Sequence, residues 1–180
     1  MPDNKLVLHP VNPRAILQDP PLLLEGLRKA GLVGTAFSHV GELHYRAGPR
    51  FGELVAFRST SPVDLSGYHV SLIETTEEPT FLGASNTQPP ECPHCQAKVT
   101  DWRRQLLAWQ QARERYLWSC PGCARKIDFK ELVWGNTGGI GRYSLDLWNI
   151  GQDEAVPSPE LMALLQDETL ESWRYFYYRF

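Results

Sequence analysis

Cysteine is scarce in this chain. There are four in 180 residues, all confined to two short motifs. That scarcity excludes the disulfide-dense scaffold of small secreted proteins. Long apolar runs are missing too. No stretch approaches the roughly 20 residues that span a bilayer, and Met1-Pro-Asp-Asn-Lys opens without the apolar segment of a signal peptide. A cytoplasmic protein without membrane contact is expected. Charge of one sign is not in large excess. The formal net charge is −3, which selects no partner for the chain as a whole. Several catalytic signatures are also missing: no HExxH pair and no GxSxG elbow occurs. The glycine-rich run 135–142 lacks the Gly-Lys-Ser/Thr ending of a phosphate loop, and a strand pattern follows it rather than a helix. A mobile connecting loop is expected there.

What is present is a pair of CxxC motifs. Cys92-Pro-His-Cys95 and Cys120-Pro-Gly-Cys123 are separated by 24 residues and hold every cysteine. Each CxxC turn directs two sulfurs at one cation, and two turns complete a tetrahedral shell. Pro93 and Pro121 stiffen the turns, and Gly122 is expected to allow a backbone conformation that a Cβ would resist. Lys98, Arg125 and Lys126 offset thiolate charge. A lone CxxC reads as a redox motif, but two at this spacing argue for metal. An iron–sulfur cluster uses the same ligands, and zinc is the preferred reading. With Cys92, Cys95, Cys120 and Cys123 filling four positions, one Zn2+ is expected to be structural rather than catalytic. His94, inside the first knuckle, is expected to be an exposed loop residue.

The paired CPxC knuckles resemble those of zinc-ribbon proteins, over about residues 90–133. The resemblance implies one structural zinc clamped between two knuckles. Gln96 and Ala124 stand where ribbons often carry glycine. A helical pattern between the knuckles replaces the hairpin of a plain ribbon.

The rest of the chain reads as an α+β body. Leu6-Val7-Leu8 is a first strand. Asp19-Pro20-Pro21 opens a helix with Leu23, Leu24, Leu27 and Ala30 on its apolar stripe and Gly31 as its stop. Residues 42–46 and 51–57 flank Ala47-Gly48-Pro49-Arg50 and read as a hairpin. Residues 68–73 form another strand, and 74–78 an acidic, solvated stretch. Residues 101–115 lack glycine, proline and β-branched side chains and read as a helix capped by Thr100. A strand at 143–150, a helix opened by Ser158-Pro159 and an aromatic C-terminal strand complete the pattern. The expected fold is an antiparallel or mixed sheet with helices on one face, a ferredoxin-like arrangement being one candidate, plus an inserted zinc-ribbon module. The expected division is 1–89, 90–133 and 134–180.

Three functions fit these residues. The first is a non-catalytic protein that binds another protein, or a second copy of itself, through Trp102, Trp109, Trp173, Tyr175 and Tyr177. The second uses a local charge asymmetry. Residues 92–130 hold eight Lys/Arg against three acidic residues, so that segment is +5 and the remainder −8. Arg103, Arg104, Arg113 and Arg115, interleaved with tryptophans, would grip nucleic acid by phosphate contact and base stacking. Here an ordinary solvated basic face is the stronger reading. The third is an enzyme with a site near His44 and His69, with Glu53 and Asp64 close in sequence. It requires both histidines on one side of the sheet.

Overall fold

The computed structural model describes residues 4–59, 63–74 and 77–180. In chain order the elements are β1 (Lys5–Pro10), α1 (Pro20–Lys29), β2 (Val33–His39), β3 (Glu42–Ala47), α2 (Phe51–Leu54), β4 (Val55–Phe57), β5 (His69–Glu74) and β6 (Thr80–Phe81). They continue with α3 (Trp102–Ala112), β7 (Leu117–Ser119), β8 (Lys126–Asp128), β9 (Ile140–Gly141), β10 (Tyr143–Trp148), β11 (Ala155–Pro157), α4 (Pro159–Thr169) and β12 (Trp173–Tyr178). The architecture is α+β.

Six strands form one sheet in the order β12-β1-β10-β5-β3-β2, and every pairing in it is antiparallel. Alternation along each strand decides what each face carries. Leu6 and Leu8 of β1, Leu145 and Leu147 of β10, Val70 of β5 and Tyr45 of β3 point one way and are buried with Leu23 and Leu27 of α1 and Leu161 and Leu165 of α4. Fully burying each leucine of this set contributes about 1.5–3 kcal/mol. Both helices open as the sequence predicts: Asp19 and Ser158 accept from the N–H groups of Leu22 and Leu161, and proline follows each cap. The other face carries Lys5, Val7 and His9, Ser144, Asp146 and Trp148, His69 and Ser71, and His44.

A second core lies in the segment between β6 and β9. Trp102, Leu106 and Trp109 of α3 pack with Trp118, Ile127, Phe129, Leu132 and Trp134. Ile140, in the β6–β9 pair, joins that cluster, with Phe81 packed against it. No side-chain hydrogen bond caps α3, and its N-cap is Asp101 rather than Thr100. The glycine-rich run is docked rather than mobile: Gly138, Gly139 and Ile140 are buried, and Gly139 lies directly on the His9 ring. The acidic stretch 74–78 falls partly outside the described residues.

The hairpin lies elsewhere than the turn signals placed it. β3 pairs with β2 through Val40 and Gly41, whereas residues 51–54 form the helical turn α2 and β4 pairs with β11. Gly48 is not a hairpin residue. A Cβ there would lie 2.3 Å from the Gly31 carbonyl oxygen, so glycine permits a close backbone crossing. At the true turn, Val40 has φ +49° and Gly41 φ +82°. Two successive positive φ values match a type I′ turn, which favours Asn-Gly. A β-branched residue is strained there, and Val40 is 89% exposed with no packing to offset the strain. Val40→Asn is expected to stabilise the protein by about 1 kcal/mol, read as an increased urea midpoint with an unchanged slope; an unchanged midpoint would show that the turn carries no strain.

Candidate metal centre

The second knuckle is the tip of the β7–β8 hairpin, closed by the Ser119–Lys126 pair. The first is bracketed by the Glu91–Lys98 bridge. Both use the same backbone bonds. The N–H groups of Gln96 and Ala124 donate to the carbonyls of Cys92 and Cys120, and those of Cys92 and Cys120 donate to the carbonyls of Ala97 and Arg125, all at 2.9 Å. Two loops of matching shape therefore face each other with their sulfurs inward. The Cys92 and Cys123 sulfurs are 3.8 Å apart, those of Cys95 and Cys120 are 3.5 Å apart, and all four lie within 4.8 Å of one another. Tetrahedral metal–sulfur bonds of about 2.3 Å require sulfurs about 3.8 Å apart, whereas a disulfide requires about 2.05 Å. The four cysteines fit a metal ion.

Gln96 and Ala124, in place of the ribbon glycines, take positive φ of +62° and +58°. The knuckle geometry survives, at the cost of strain at both positions. Gly122 is explained differently from expectation. Its φ is not in the left-handed region, and a Cβ there would sit 3.0 Å from the Cys95 sulfur. The close-packed thiols also perturb one another. Burial raises the Cys92 thiol, but N–H donors from His94 and Cys95 bring it down to about 7. An Ala97 N–H lowers that of Cys95, but hydrogen bonding with Cys120, burial and the other two thiols push it up to about 12. Four thiolates cannot share this volume without a positive ion between them. His94 is exposed, as expected, beside Arg125 at 2.7 Å.

No protein-family model, curated protein or solved structure matches this chain. Among the described residues, no helix is long and apolar enough to cross a membrane.

The aromatic and basic candidates occupy different places from those the sequence implied. Trp102 and Trp109 are 4% and 1% exposed in the second core, and Trp173 and Tyr177 are 7% and 4% exposed in the first. Tyr175 is partly buried against the same core. Four of these rings are buried in the two cores, and Tyr175 packs against the first of them. Burial also removes the two α3 tryptophans as stacking platforms for bases. Arg103 lies over Trp102 at 4.4 Å, and Arg104 is paired with Asp101. Arg113 donates to the Pro79 carbonyl, pairs with Glu78 and lies over Trp109. Arg115 is exposed. Arg113 is thus tied to residues 78–79, and the ring beneath Arg103 is itself buried.

The histidines do converge. His44 of β3 and His69 of β5 share the face opposite the helices, with ring centroids 4.9 Å apart. Their acidic neighbours are not the ones near in sequence. Glu53 is paired with Arg50, and Asp64 caps a short turn at Ser66, whereas Glu42 lies 3.9 Å from His44 Nε2. Burial lowers the His44 pKa, with His39 adding to the shift and Glu42 and Asp146 opposing it. Sequence reasoning missed Lys5, Asp146 and Trp148. Lys5 Nζ contacts Asp146 at 2.5 Å and lies 4.5 Å and 4.6 Å from the Trp148 and Tyr178 rings. All four line a cleft of about 330 Å³ that runs under Phe81 and Leu82. Asp146, a charge inside the otherwise buried strand Tyr143–Trp148, was the available signal.

Two outcomes follow. Ala124→Gly is expected to relieve about 1 kcal/mol of strain and raise both metal retention against a chelator and the thermal midpoint; no change in either would remove the strain argument. His9 is fully buried, and burial, with Arg174 nearby, lowers its pKa from 6.5 to about 3. Between those values the unfolded chain binds a proton that the folded chain does not, so stability falls as pH drops below about 6.5. Comparing wild type with His9→Gln by urea unfolding from pH 7 to 4.5 should show up to about 1.4 kcal/mol per pH unit less dependence in the variant. Equal slopes would mean that His9 titrates normally.

Proposed function

We propose that this chain is a zinc-stapled, non-catalytic cytoplasmic protein that works by pairing with a second copy of itself along β2. The metal is zinc and structural. Four protein sulfurs at tetrahedral spacing fill the shell and leave no position for a substrate. Residues 90–133 then act as a ribbon-like insertion with a helix between its knuckles, set between the body halves 1–89 and 134–180. The body itself is ferredoxin-like. β1 and β5, on either side of α1 in the chain, flank β10, while β10 and β12, joined through α4, flank β1. This order supports the split β-α-β reading, with the β2–β3 hairpin added at its edge.

The observation that carries the interaction is the contrast between the two sheet edges. The β12 edge is covered: the Tyr177 N–H donates to the Asn136 carbonyl, and the Asn86 side chain donates to the Tyr177 carbonyl. At the β2 edge Thr35, Ala36, Ser38 and His39 are exposed, and no Lys, Arg, Asp or Glu lies between Val33 and Gly41. Native edges are usually blunted by charge, proline or a bulge. A bulge affects only the Val33–Ala36 end of β2. An uncharged edge meets its own copy in antiparallel register without like-charge repulsion. Beside it, Leu43 is 59% exposed at the rim of a groove of about 480 Å³ lined with Leu24, Tyr45 and Leu72. Pro20, Pro21, Leu24 and Arg28 of α1 form the helical wall of this groove.

The nucleic-acid reading is weakened by the buried tryptophans. The enzyme reading keeps one observation in its favour, the shared face of His44 and His69.

Two measurements separate the parts of this reading. Elemental analysis should find one zinc per chain in wild type and none in Cys95→Ser, whose residues 90–130 lose protected amides; stoichiometric zinc in that variant overturns the metal assignment. Light scattering across a hundredfold concentration range should find a dimer that Ser38→Lys converts to monomer with its zinc intact. A wild-type monomer throughout, or a dimer indifferent to Ser38→Lys, overturns the pairing.

A further inference from the structure

The face opposite the helices brings together three imidazoles that the cysteine centre does not use. His39, His44 and His69 come from three adjacent strands, β2, β3 and β5. Their ring centroids are 5.1 Å (His39–His44), 4.9 Å (His44–His69) and 5.3 Å (His39–His69) apart. Neighbouring strands lie about 4.8 Å apart, so His39 and His69, two strands apart, would be separated by roughly 10 Å on a flat sheet. Their side chains lean together over His44. His39 even comes within 6.4 Å of the Trp148 ring, three strands away, so the face is concave at this point.

We propose that His39, His44 and His69 form a second, exchangeable site for a divalent transition-metal ion. Three imidazoles bound to one tetrahedral ion through bonds of about 2.0–2.1 Å place their ring centroids about 5 Å apart, the spacing found here. Imidazole suits Zn2+, Ni2+, Co2+ and Cu2+. His44 is 1% exposed, and its Nδ1 has no hydrogen-bond partner. A buried nitrogen without a partner is costly, and an ion would satisfy this residue. The His69 ring is stacked on Trp148 at an interplanar angle of 9°, which fixes its plane. Glu42, directly opposite His39 in the hairpin, is the oxygen donor within reach.

The resting geometry differs from that of the cysteine centre. Among the described residues, only the cysteine sulfurs lie within 4.8 Å of one another as a set of three or more ligand atoms. The imidazoles therefore have to turn to close on an ion, and exposed His39 has room to do so. That requirement, together with three ligands rather than four, makes the site exchangeable where the cysteine centre is closed.

The test uses full-length protein carrying its full complement of metal at the cysteines. Ni2+ is titrated in by calorimetry, with histidine ring resonances followed by NMR. One further equivalent should bind, shifting the rings of His39, His44 and His69 and leaving that of His94 unchanged. Ligand-shell changes cost metal sites tenfold or more, so His39→Ala should weaken binding by roughly tenfold or more, and the triple alanine variant should abolish it. His39 is exposed, so its loss tests binding without testing folding. Absence of a further equivalent, or one indifferent to His39→Ala, overturns the proposal. Cysteine-bound metal is measured separately in every sample, so failure here leaves the reading of the cysteine centre untouched.

Discussion

The burial of β1 and β10 on both faces is the constraint on which the rest of this structure depends. β1 lies between β12 and β10, and β10 between β1 and β5. On one face Leu6, Leu8, Leu145 and Leu147 are fully buried beneath the helices. On the other, Val7, His9 and Asp146 are also buried, and His9 lies beneath the glycine-rich run. That run is the return path from the cysteine segment. The segment's exit through β9 is therefore part of what covers the body's central strand. The β6–β9 pair fixes both ends of the excursion, and Phe81 belongs at once to the cleft and to the second core.

The cysteine segment has its own order of dependence. Its core is aromatic and holds three tryptophans of α3 and β7 with Phe129 and Trp134. The sulfurs sit at one end of that core, Cys92 and Cys120 being buried and Cys95 exposed. Such a small core depends on cross-links, and an ion held at the sulfurs would supply one. Lys130, buried and paired with Asp128 at 2.9 Å, closes the hairpin side of the same unit.

Two surfaces stand apart from the cores. The β2 edge carries no Lys, Arg, Asp or Glu, and its adjoining groove is mostly apolar, with Arg28 on its wall. The concave face is the reverse, rich in imidazole, with a buried ion pair and an aromatic wall. They lie on opposite sides of the same appended hairpin. On one side of the hairpin Leu43 stays exposed, while the other turns His39 and His44 together. One structural extension thus produces both features.

Local chemistry was legible in the sequence, and non-local pairing was not. The helix openings at Asp19-Pro20 and Ser158-Pro159, the strands around Leu6, Val70 and Leu145, and the four-cysteine set depend on residues within one turn or one alternation, so their spacing declares them. The β2–β3 hairpin was misplaced because Val40 stands where its turn usually carries Asn, while Gly48-Pro49 carries turn residues for another reason, a backbone crossing over Gly31. Aromatic residues look alike in sequence whether they face a core or a partner. Only packing decided that Trp102, Trp109, Trp173 and Tyr177 face inward. The sequence by itself determined the four-cysteine cluster that could hold a metal ion, since two CxxC turns can satisfy four sulfurs in few other ways. The tertiary structure alone decided that His39, His44 and His69 meet, because strand order and sheet curvature, which no local pattern encodes, set the distance between side chains far apart in the chain.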